Sequence, residues 1–374
     1  MLKKISISLA LCALVAVGMI AWLQSMIPGT EERAALKQSS AADIPYLQNA
    51  IKADRGRILA VVTSTDTMGE SGKSTGFELT ELARAYYVFT ANGFEVDIAS
   101  PSGGEPPMVI DGDDMGTYDY AFLNDDEAQA KLANSIPLNE AQSEDYAALY
   151  FVGGKGAMFD FPDNEEIKTL VAEVYQAGGV IAAVCHGPAA LVNVKLHDGT
   201  DLLANKRVSS FTNEEELFLI PEAREVFPFL LEDGLVNSGA SFEAGPRYLE
   251  QVSNDSRIVT GQNPWSVWAM ADLTIRELGY EPLPRTVTAE ENSVSVLQAY
   301  ELEGFGEANS LLKQLKTEPE QSIDRLLIAM HGIVAAMDWE LIKLIQLLRL
   351  LIIAGDENIA ALNPVDTLPI SYVA

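Results

Sequence analysis

The sequence predicts an α/β fold, in which helices cover a doubly wound, mostly parallel sheet of the flavodoxin-like type. Three observations support this class. Short apolar segments of strand length alternate with longer segments of helical periodicity. The apolar segments are continuous and rich in β-branched residues, which is typical of parallel strands buried on both faces. Glycine-rich turns follow several of them, at the carboxyl ends of the strands, where such sheets bind ligands.

The first strand and its crossover are predicted near the start of this domain. Residues 57–64 form an apolar strand, and a loop rich in Gly and Ser follows. Residues 76–91 carry apolar side chains at helical spacing, and residues 94–100 predict the second strand. The order strand, helix, strand is typical of a right-handed crossover between parallel strands.

The middle of the chain interrupts this alternation. Residues 101–146 are dense in Gly, Pro and Asp and predict an insertion that covers or shapes a site. The alternation then resumes with strand 146–152, helix 164–176, strand 180–184, strand 258–264 and helix 265–278. These elements complete the predicted parallel sheet.

The stretch Val180–Leu191 contains the most informative residue pair of the chain. A buried strand ends at Val184, and the small residues after Gly187 predict the opening of a helix. Cys185 therefore lies on a strand-to-helix turn, which strains the backbone and lifts the side chain out of the sheet. The dipole of the helix is expected to favour the thiolate. The alternative is a buried core cysteine beside a chance histidine, His186.

Composition excludes several classes of function. The 374 residues carry a formal net charge of −29, whereas nucleic-acid binding needs a basic surface. The chain has two cysteines, Cys12 and Cys185, and Cys12 lies in the apolar N-terminal run. This leaves no disulfide framework. The three histidines are scattered and no zinc-type spacing occurs, so we predict no metal.

Residues 1–27 predict a signal-anchor or transmembrane helix. Lys3 and Lys4 precede an uncharged, mostly apolar run from Ile5 to Leu23, which is long enough to cross a bilayer. We expect this helix to anchor the protein in a membrane, with the main domain extracytoplasmic, either periplasmic or at the cell surface. Secretion after signal cleavage is the alternative.

The remaining boundaries follow from composition and periodicity. We predict a linker over residues 28–54, an α/β domain over residues 55–284 and a helical extension over residues 285–374. The extension contains several segments with apolar residues at helical spacing. It is expected to mediate a homodimer or a contact with a protein partner, or to pack as a helical cap on the core.

Five motifs in order along the chain resemble the PfpI-like branch of the class I glutamine amidotransferase superfamily. They are the double glycine Gly153-Gly154 with residues 158–162 after it, Ala183–Pro188, Phe211–Glu216, residues 228–233 and residues 260–264. The resemblance covers roughly residues 55–284, and the combination is more specific than any single motif. Within this family the sequence is most similar to heat-shock chaperones with glyoxalase III activity.

The resemblance implies a catalytic set. It makes Cys185 the nucleophile and His186 its base, and Glu81 matches a family glutamate that hydrogen-bonds to the cysteine sulfur. Glu216 best matches the acid that orients the histidine, with Glu215 as the alternative. The chemistry agrees, because a thiolate needs a base within reach and the base needs a third group that fixes its tautomer.

The resemblance also implies a substrate site and an activity. We expect Gly153, Gly154, Lys155 and Gly187 to bind substrate or a developing oxyanion. Family members commonly carry histidine where this chain has Lys155, which leaves the polarity of the substrate open. The implied activity is that of a cysteine-dependent, cofactor-independent enzyme that converts methylglyoxal to lactate, or of a related hydrolase or deglycase acting on small carbonyl compounds. The alternative is a non-enzymatic chaperone (holdase) or a sensor of cysteine oxidation.

Overall fold

The computed structural model describes residues 22, 25–27, 29–112, 115–318 and 321–356. Contacts between Cα atoms divide the chain into two compact units. One unit is Ala34–Arg285, and the other comprises the described residues of Met1–Arg33 and Thr286–Ala374.

Short strands and helices alternate along the larger unit. The strands are β1 (Arg57–Val61), β2 (Phe77–Glu78), β3 (Glu95–Ser100), β4 (Met108–Val109), β5 (Ile136–Pro137), β6 (Ala148–Phe151), β7 (Val180–Val184), β8 (Arg207–Val208), β9 (Ser241–Phe242), β10 (Val252–Asp255) and β11 (Ile258–Gly261). The helices up to Arg285 are α1 (Thr30–Leu36), α2 (Pro45–Gln48), α3 (Leu79–Ala91), α4 (Thr117–Leu123), α5 (Asp126–Ala133), α6 (Ala157–Asp160), α7 (Glu165–Gln176), α8 (Asn213–Leu219), α9 (Ala223–Val226), α10 (Leu231–Asn237) and α11 (Val267–Glu277).

Seven strands form the central sheet, in the order β10-β11-β7-β6-β1-β3-β5. Neighbouring strands are parallel except β10, which pairs antiparallel with β11. After β1 the chain builds outward through β3 and β5, then returns to the other side of β1 to add β6 and β7. The strand order therefore reverses between β1 and β6, and ligands of such sheets bind beyond the carboxyl ends of the strands at this point.

Alternate residues of the central strands face opposite layers, as the pleat of a strand requires. In β7, Ala182 packs in the same cluster as Leu82 of α3, whereas Ile181 packs in the cluster of Ile167 of α7. Helices therefore bury both faces of the sheet, which explains why its strands are continuously apolar. The predicted flavodoxin-like α/β class, with its mostly parallel sheet, is confirmed.

The predicted linker and the predicted insertion both contain secondary structure. Residues 28–54, predicted as a linker, contain α1 and α2, and Ile44 and Tyr46 are buried there. The insertion over residues 101–146 forms α4 and α5, and its strand β5 pairs with β3 at the edge of the sheet. Pro137 fits this edge position, because an edge strand can lack one backbone donor.

The smaller unit contains the helical extension. Its helices are α12 (Ala289–Glu303), α13 (Phe305–Thr317), α14 (Arg325–Met337) and α15 (Leu341–Ala354). They form two helical pairs, α12 with α13 and α14 with α15. Gly304 joins the first pair with a φ of +93°, a conformation that glycine adopts without strain. The predicted division into residues 1–27, 28–54, 55–284 and 285–374 remains a proposal for the domain organisation.

The prediction that the fold includes an N-terminal membrane helix is wrong for the part of the chain that the structure describes. No helix within the described ranges combines the length and the apolar character that a bilayer span requires. Even the apolar α15, with 14 residues, extends only about 21 Å, against about 30 Å of hydrocarbon. Most of the predicted span, residues 1–27, lies outside the described residues. The predictions of a transmembrane helix, of the membrane as a partner and of a membrane-anchored, extracytoplasmic domain are accordingly withdrawn.

Candidate active site

Cys185 lies on the turn directly after β7, with a φ of +56°. Non-glycine residues rarely adopt this conformation, and it persists only where the surroundings impose it. Two backbone hydrogen bonds do so: the Cys185 N–H donates to Gly261 O (2.9 Å), and the Phe211 N–H donates to Cys185 O (3.0 Å). The thiol is thereby fixed at the carboxyl edge of the sheet. A five-residue 3-10 helix, Gly187–Leu191, follows the turn.

A chain of contacts connects the thiol to a histidine and a carboxylate. Cys185 Sγ lies 3.2 Å from His186 Nδ1, and His186 Nε2 lies 2.6 Å from Glu216 Oε2. Because a carboxylate only accepts hydrogen bonds, Nε2 carries the proton and Nδ1 presents its lone pair to the thiol. Phe211 and Phe227 hold the imidazole in this orientation, with ring centroids 4.8 and 6.2 Å from it.

The two glutamates that the sequence left as alternatives have different environments. Burial raises the pKa of Glu216. The charge of His186, its hydrogen bond to the carboxyl and the charge of Lys155 together lower this pKa by more, so that the carboxyl is ionised at neutral pH. Glu215 instead accepts hydrogen bonds from the Tyr248 N–H (2.7 Å) and from the side-chain amides of Gln262 (3.0 Å) and Asn263 (3.1 Å). The structure places Glu216 against the histidine and gives Glu215 a part in holding the surrounding loops.

Glu81 lies in the first turn of α3 and is completely buried. Its Oε2 accepts the Gly153 N–H at 2.8 Å, while its carboxyl group also interacts with the Cys185 thiol. Burial, together with the charge of Glu78, raises the pKa of Glu81 well above its usual range. The carboxyl therefore holds its proton more strongly than an exposed glutamate does, and in its protonated form it can donate a hydrogen bond to sulfur. The Tyr150 hydroxyl donates to Glu81 O (2.7 Å) and fixes the helix turn.

The electrostatics of the thiol differ from the sequence-based expectation. Burial raises the pKa of Cys185, and the Glu81 carboxyl raises it further, whereas the Lys155 charge and the Gly154 N–H lower it. The short 3-10 helix that follows supplies only a small dipole. At rest, the thiol therefore depends on a nearby base for activation, and His186 Nδ1 is within reach.

Glycines allow the elements of the site to approach one another. A Cβ atom on Gly153 would lie 2.5 Å from Glu81 Oε2 and 2.7 Å from Cys185 Cβ. A Cβ atom on Gly187 would lie 2.2 Å from Phe151 O. Both distances are far below van der Waals contact, so the close packing of the acid, the nucleophile and β6 requires glycine at these positions.

The loop after β6 brings an amide and a cation to the nucleophile. Gly154, with a φ of +100°, directs its N–H toward the Cys185 sulfur. The His186 N–H has no backbone acceptor in the described chain. Both N–H groups belong to residues next to the sulfur and remain candidates for binding an oxyanion. The next residue, Lys155, places its charge near both the sulfur and Glu216.

The remaining histidines lie elsewhere. His197 is on an exposed loop, where its N–H donates to Gln176 Oε1 (3.1 Å), and His331 is buried in α14. Over the described ranges, no group of three or more His, Cys, Asp or Glu side chains is placed to hold a metal ion.

Sequence reasoning missed three side chains that shape the site. Phe211 and Phe227 flank the imidazole, and the Tyr150 hydroxyl supports the glutamate helix. Phe211 was part of a recognised motif and Phe227 directly precedes another, so the motifs held a signal for both. Tyr150 left only the faint signal of a hydroxyl in an otherwise apolar strand.

The flavodoxin-like sheet and the strained cysteine turn define a class of α/β proteins with a buried cysteine at the carboxyl edge of the sheet. A profile of the DJ-1/PfpI family matches residues 73–277, more than half of the chain, and the protein belongs to this family. The resemblance inferred from the sequence motifs is thus confirmed.

Several individual proteins of known name or structure are similar to this chain. The glutathione-independent glyoxalase hsp3102 of Schizosaccharomyces pombe is 31% identical, over 55% of this chain and 90% of the relative. The solved structure of Rapid Encystment Protein 24 KDa (REP24) of Francisella tularensis is 38% identical, with a TM-score of 0.57, and the match covers 60% of this chain and 99% of that chain. Glyoxalase III of Candida albicans is 26% identical, with a TM-score of 0.54, over 60% of this chain and 97% of that chain.

Proposed function

We propose that the protein is a cofactor-independent glyoxalase that converts 2-oxoaldehydes such as methylglyoxal to 2-hydroxy acids without glutathione. The contacts of Cys185 Sγ with His186 Nδ1 (3.2 Å) and of His186 Nε2 with Glu216 Oε2 (2.6 Å) carry this proposal. They supply a nucleophile, a base and a group that orients the base. The names of its relatives, a glutathione-independent glyoxalase and a glyoxalase III, support the same activity.

The first step is addition of the thiol to the aldehyde. Cys185 Sγ forms a bond to the aldehyde carbon, while its proton passes to His186 Nδ1. The electron pair of the carbonyl bond moves to oxygen, next to the N–H groups of Gly154 and His186. The oxygen then takes the proton from the imidazolium, which gives a hemithioacetal and restores the neutral base.

The second step moves two electrons within the substrate. The C–H of the hemithioacetal is acidified by the adjacent ketone, so His186 can remove this proton to give an enediolate. The proton of the hemithioacetal hydroxyl moves to the former ketone oxygen, and His186 returns its proton to the former ketone carbon, which gives a thioester. The aldehyde carbon is oxidised and the ketone carbon is reduced, so the reaction balances without an external oxidant. Water then cleaves the thioester, which releases lactate from methylglyoxal and restores the Cys185 thiol.

The test measures methylglyoxal consumption and lactate formation without glutathione. We expect turnover by the wild-type chain and a loss of about 10²–10⁴-fold in kcat/KM for Cys185→Ala and for His186→Ala. His197→Ala is the matched control, because this exposed histidine lies outside the site, and it should keep the wild-type rate. Wild-type turnover by Cys185→Ala would contradict the proposal.

A chaperone function is the second candidate, and exposed apolar side chains of α14 and α15 favour it. Trp339 is 83% exposed and Ile342 75%, and Met337 and Ile345 are exposed beside them in the chain. Apolar patches of this kind can bind unfolded polypeptides. Such a holdase would suppress the aggregation of reduced lysozyme equally well with Cys185→Ala, whereas Ile342→Ser would weaken it. Failure of the wild-type chain to suppress aggregation would exclude this candidate.

A further inference from the structure

Lys155 lies in the turn that follows β6, one residue after the amide that faces the nucleophile. The turn is fixed by hydrogen bonds from the Ala157 N–H to Gly154 O (3.1 Å) and from the Met158 N–H to Lys155 O (3.3 Å). The residue is partly buried, so its charge has less access to water than that of a surface lysine. The backbone of Lys155 is therefore held in place next to Gly154.

The ammonium group of Lys155 has no ion pair or side-chain hydrogen bond to any of the described residues. Other lysines of the same unit do have partners: Lys73 pairs with Glu222 (2.9 Å) and Lys168 with Glu165 (2.9 Å). The chain offers 54 acidic side chains against 25 Lys and Arg. The charge of Lys155 interacts with Glu216, but that carboxylate is hydrogen-bonded to His186 Nε2, so the ammonium group has no direct ion pair and can bind an anionic ligand.

The charge of Lys155 acts on the reacting groups. After the effects of burial and of Glu81, it lowers the pKa of Cys185, and after those of burial and His186, it lowers the pKa of Glu216. The charge of Lys155 therefore acts on the sulfur, to which the substrate carbon would be bonded, and on Glu216, and it forms a direct ion pair with neither group. A negative group on the substrate would meet it there.

We propose that Lys155 binds a carboxylate of the substrate, so that the site prefers 2-oxoaldehydes whose carbon chain ends in a carboxylate over neutral ones. This inference rests on the proposed function. The bonds that form and break are those of the glyoxalase reaction, and the carboxylate does not react. The product is then a 2-hydroxy acid with a second carboxylate.

The charge preference can be tested without turnover by alkylating Cys185 with iodoacetate, which is anionic, and with iodoacetamide, which is neutral. Mass spectrometry of the Cys185 peptide gives both rates. Their ratio cancels the fraction of thiolate, because both reagents attack the same sulfur. We expect the iodoacetate to iodoacetamide ratio to fall about tenfold in Lys155→Met and to be retained in Lys155→Arg. An unchanged ratio in Lys155→Met would overturn the inference.

Lys168→Met is the matched control, because it removes the same charge from α7, where the lysine pairs with Glu165. Its alkylation ratio should equal that of the wild-type chain. Lys155→Gln is a second neutral variant, in case Lys155→Met fails to fold. An equal fall in the ratio for Lys168→Met would mean that net charge alone, and not Lys155, sets the preference.

Turnover separates this inference from the proposed function. We expect 4,5-dioxopentanoate to be consumed with a higher kcat/KM than 2-oxopentanal, its neutral counterpart of equal chain length, and Lys155→Met to reduce this preference about tenfold. Consumption of both compounds without a preference would overturn the role of Lys155 and leave the glyoxalase proposal intact. If neither compound is consumed, the glyoxalase proposal fails, while the alkylation ratio still decides whether Lys155 binds an anion.

Discussion

Glu216 Oε2 lies 2.6 Å from His186 Nε2, whereas Glu215, one residue earlier, accepts the Tyr248 N–H at 2.7 Å. Two adjacent carboxylates in the first turn of α8 thus have separate tasks. One orients the proposed base and the other holds a neighbouring loop. Substitution of each in turn should separate an effect on chemistry from an effect on stability.

Glu216→Gln should lower kcat/KM for methylglyoxal by about 10²–10⁴-fold, because an amide no longer fixes the proton on His186 Nε2. Its thermal midpoint should change little. Glu215→Gln should lower the unfolding free energy by about 1–3 kcal/mol, since its oxygen contacts with Tyr248 and Gln262 are disturbed. Steady-state kinetics and thermal unfolding of both variants test this. Equal losses of activity and stability in the two variants would contradict the separation of tasks.

Glu81 should make stability fall as pH rises. The pKa of Glu81 is raised in the folded protein by burial and by Glu78, whereas the unfolded chain releases this proton near the ordinary glutamate pKa of 4.5. The folded state therefore binds the extra proton, and the stability this gives is lost as pH rises from 4.5 through the folded-state pKa. Glu81→Gln cannot titrate. The unfolding free energy of the wild type minus that of the variant should decrease by up to about 1.4 kcal/mol per pH unit.

Urea unfolding of the wild-type chain and of Glu81→Gln at about pH 5 and about pH 8 gives this difference. A difference that does not depend on pH would show that Glu81 is ionised in the folded protein. Glu78→Gln provides a further check, because loss of its charge removes the second cause of the raised pKa. In Glu78→Gln, the pH at which the fall in stability levels off should therefore be lower than in the wild-type chain.

Gly153→Ala should damage the site and the fold together. Its Cβ atom would lie 2.5 Å from Glu81 Oε2 and 2.7 Å from Cys185 Cβ, so that the acid and the nucleophile must separate. We expect a loss of about 1–3 kcal/mol in unfolding free energy and slower alkylation of Cys185. Gly306→Ala in α13 is the control, since nothing lies within 4 Å of its Cβ position, and it should be neutral or slightly stabilising. Wild-type stability of Gly153→Ala would contradict the packing described.

The sheet and the cysteine turn could be predicted from sequence because their signals are local. Val180–Val184 is a continuous apolar strand, and Gly187 follows the Cys185–His186 pair directly. Glu81 and Glu216 lie far from this pair in the chain, so a family resemblance was needed to select them. Periodicity could not separate Glu216 from its neighbour, because both face buried surroundings in one helical turn.

Features that depend on tertiary contacts could not be predicted. The stacking of Phe227 on the imidazole joins segments that are distant in sequence. Sequence could not show that Lys155 forms no direct ion pair with a described residue, because this depends on which side chains the fold brings near it. The raised pKa of Cys185 likewise follows from burial and from Glu81, and the local pattern of strand and helix suggested the opposite direction.

The most direct test of the central claim is a search for the covalent intermediate on Cys185. Glu216→Gln, which should turn over slowly, is mixed with methylglyoxal, quenched with acid and analysed by mass spectrometry, with Cys185→Ala treated in the same way to reveal background modification of Lys and Arg. The account predicts a peptide containing Cys185 whose mass increases by that of one methylglyoxal, and which disappears as lactate forms. Lactate formation without any adduct on Cys185, or at an equal rate in Cys185→Ala, would contradict it.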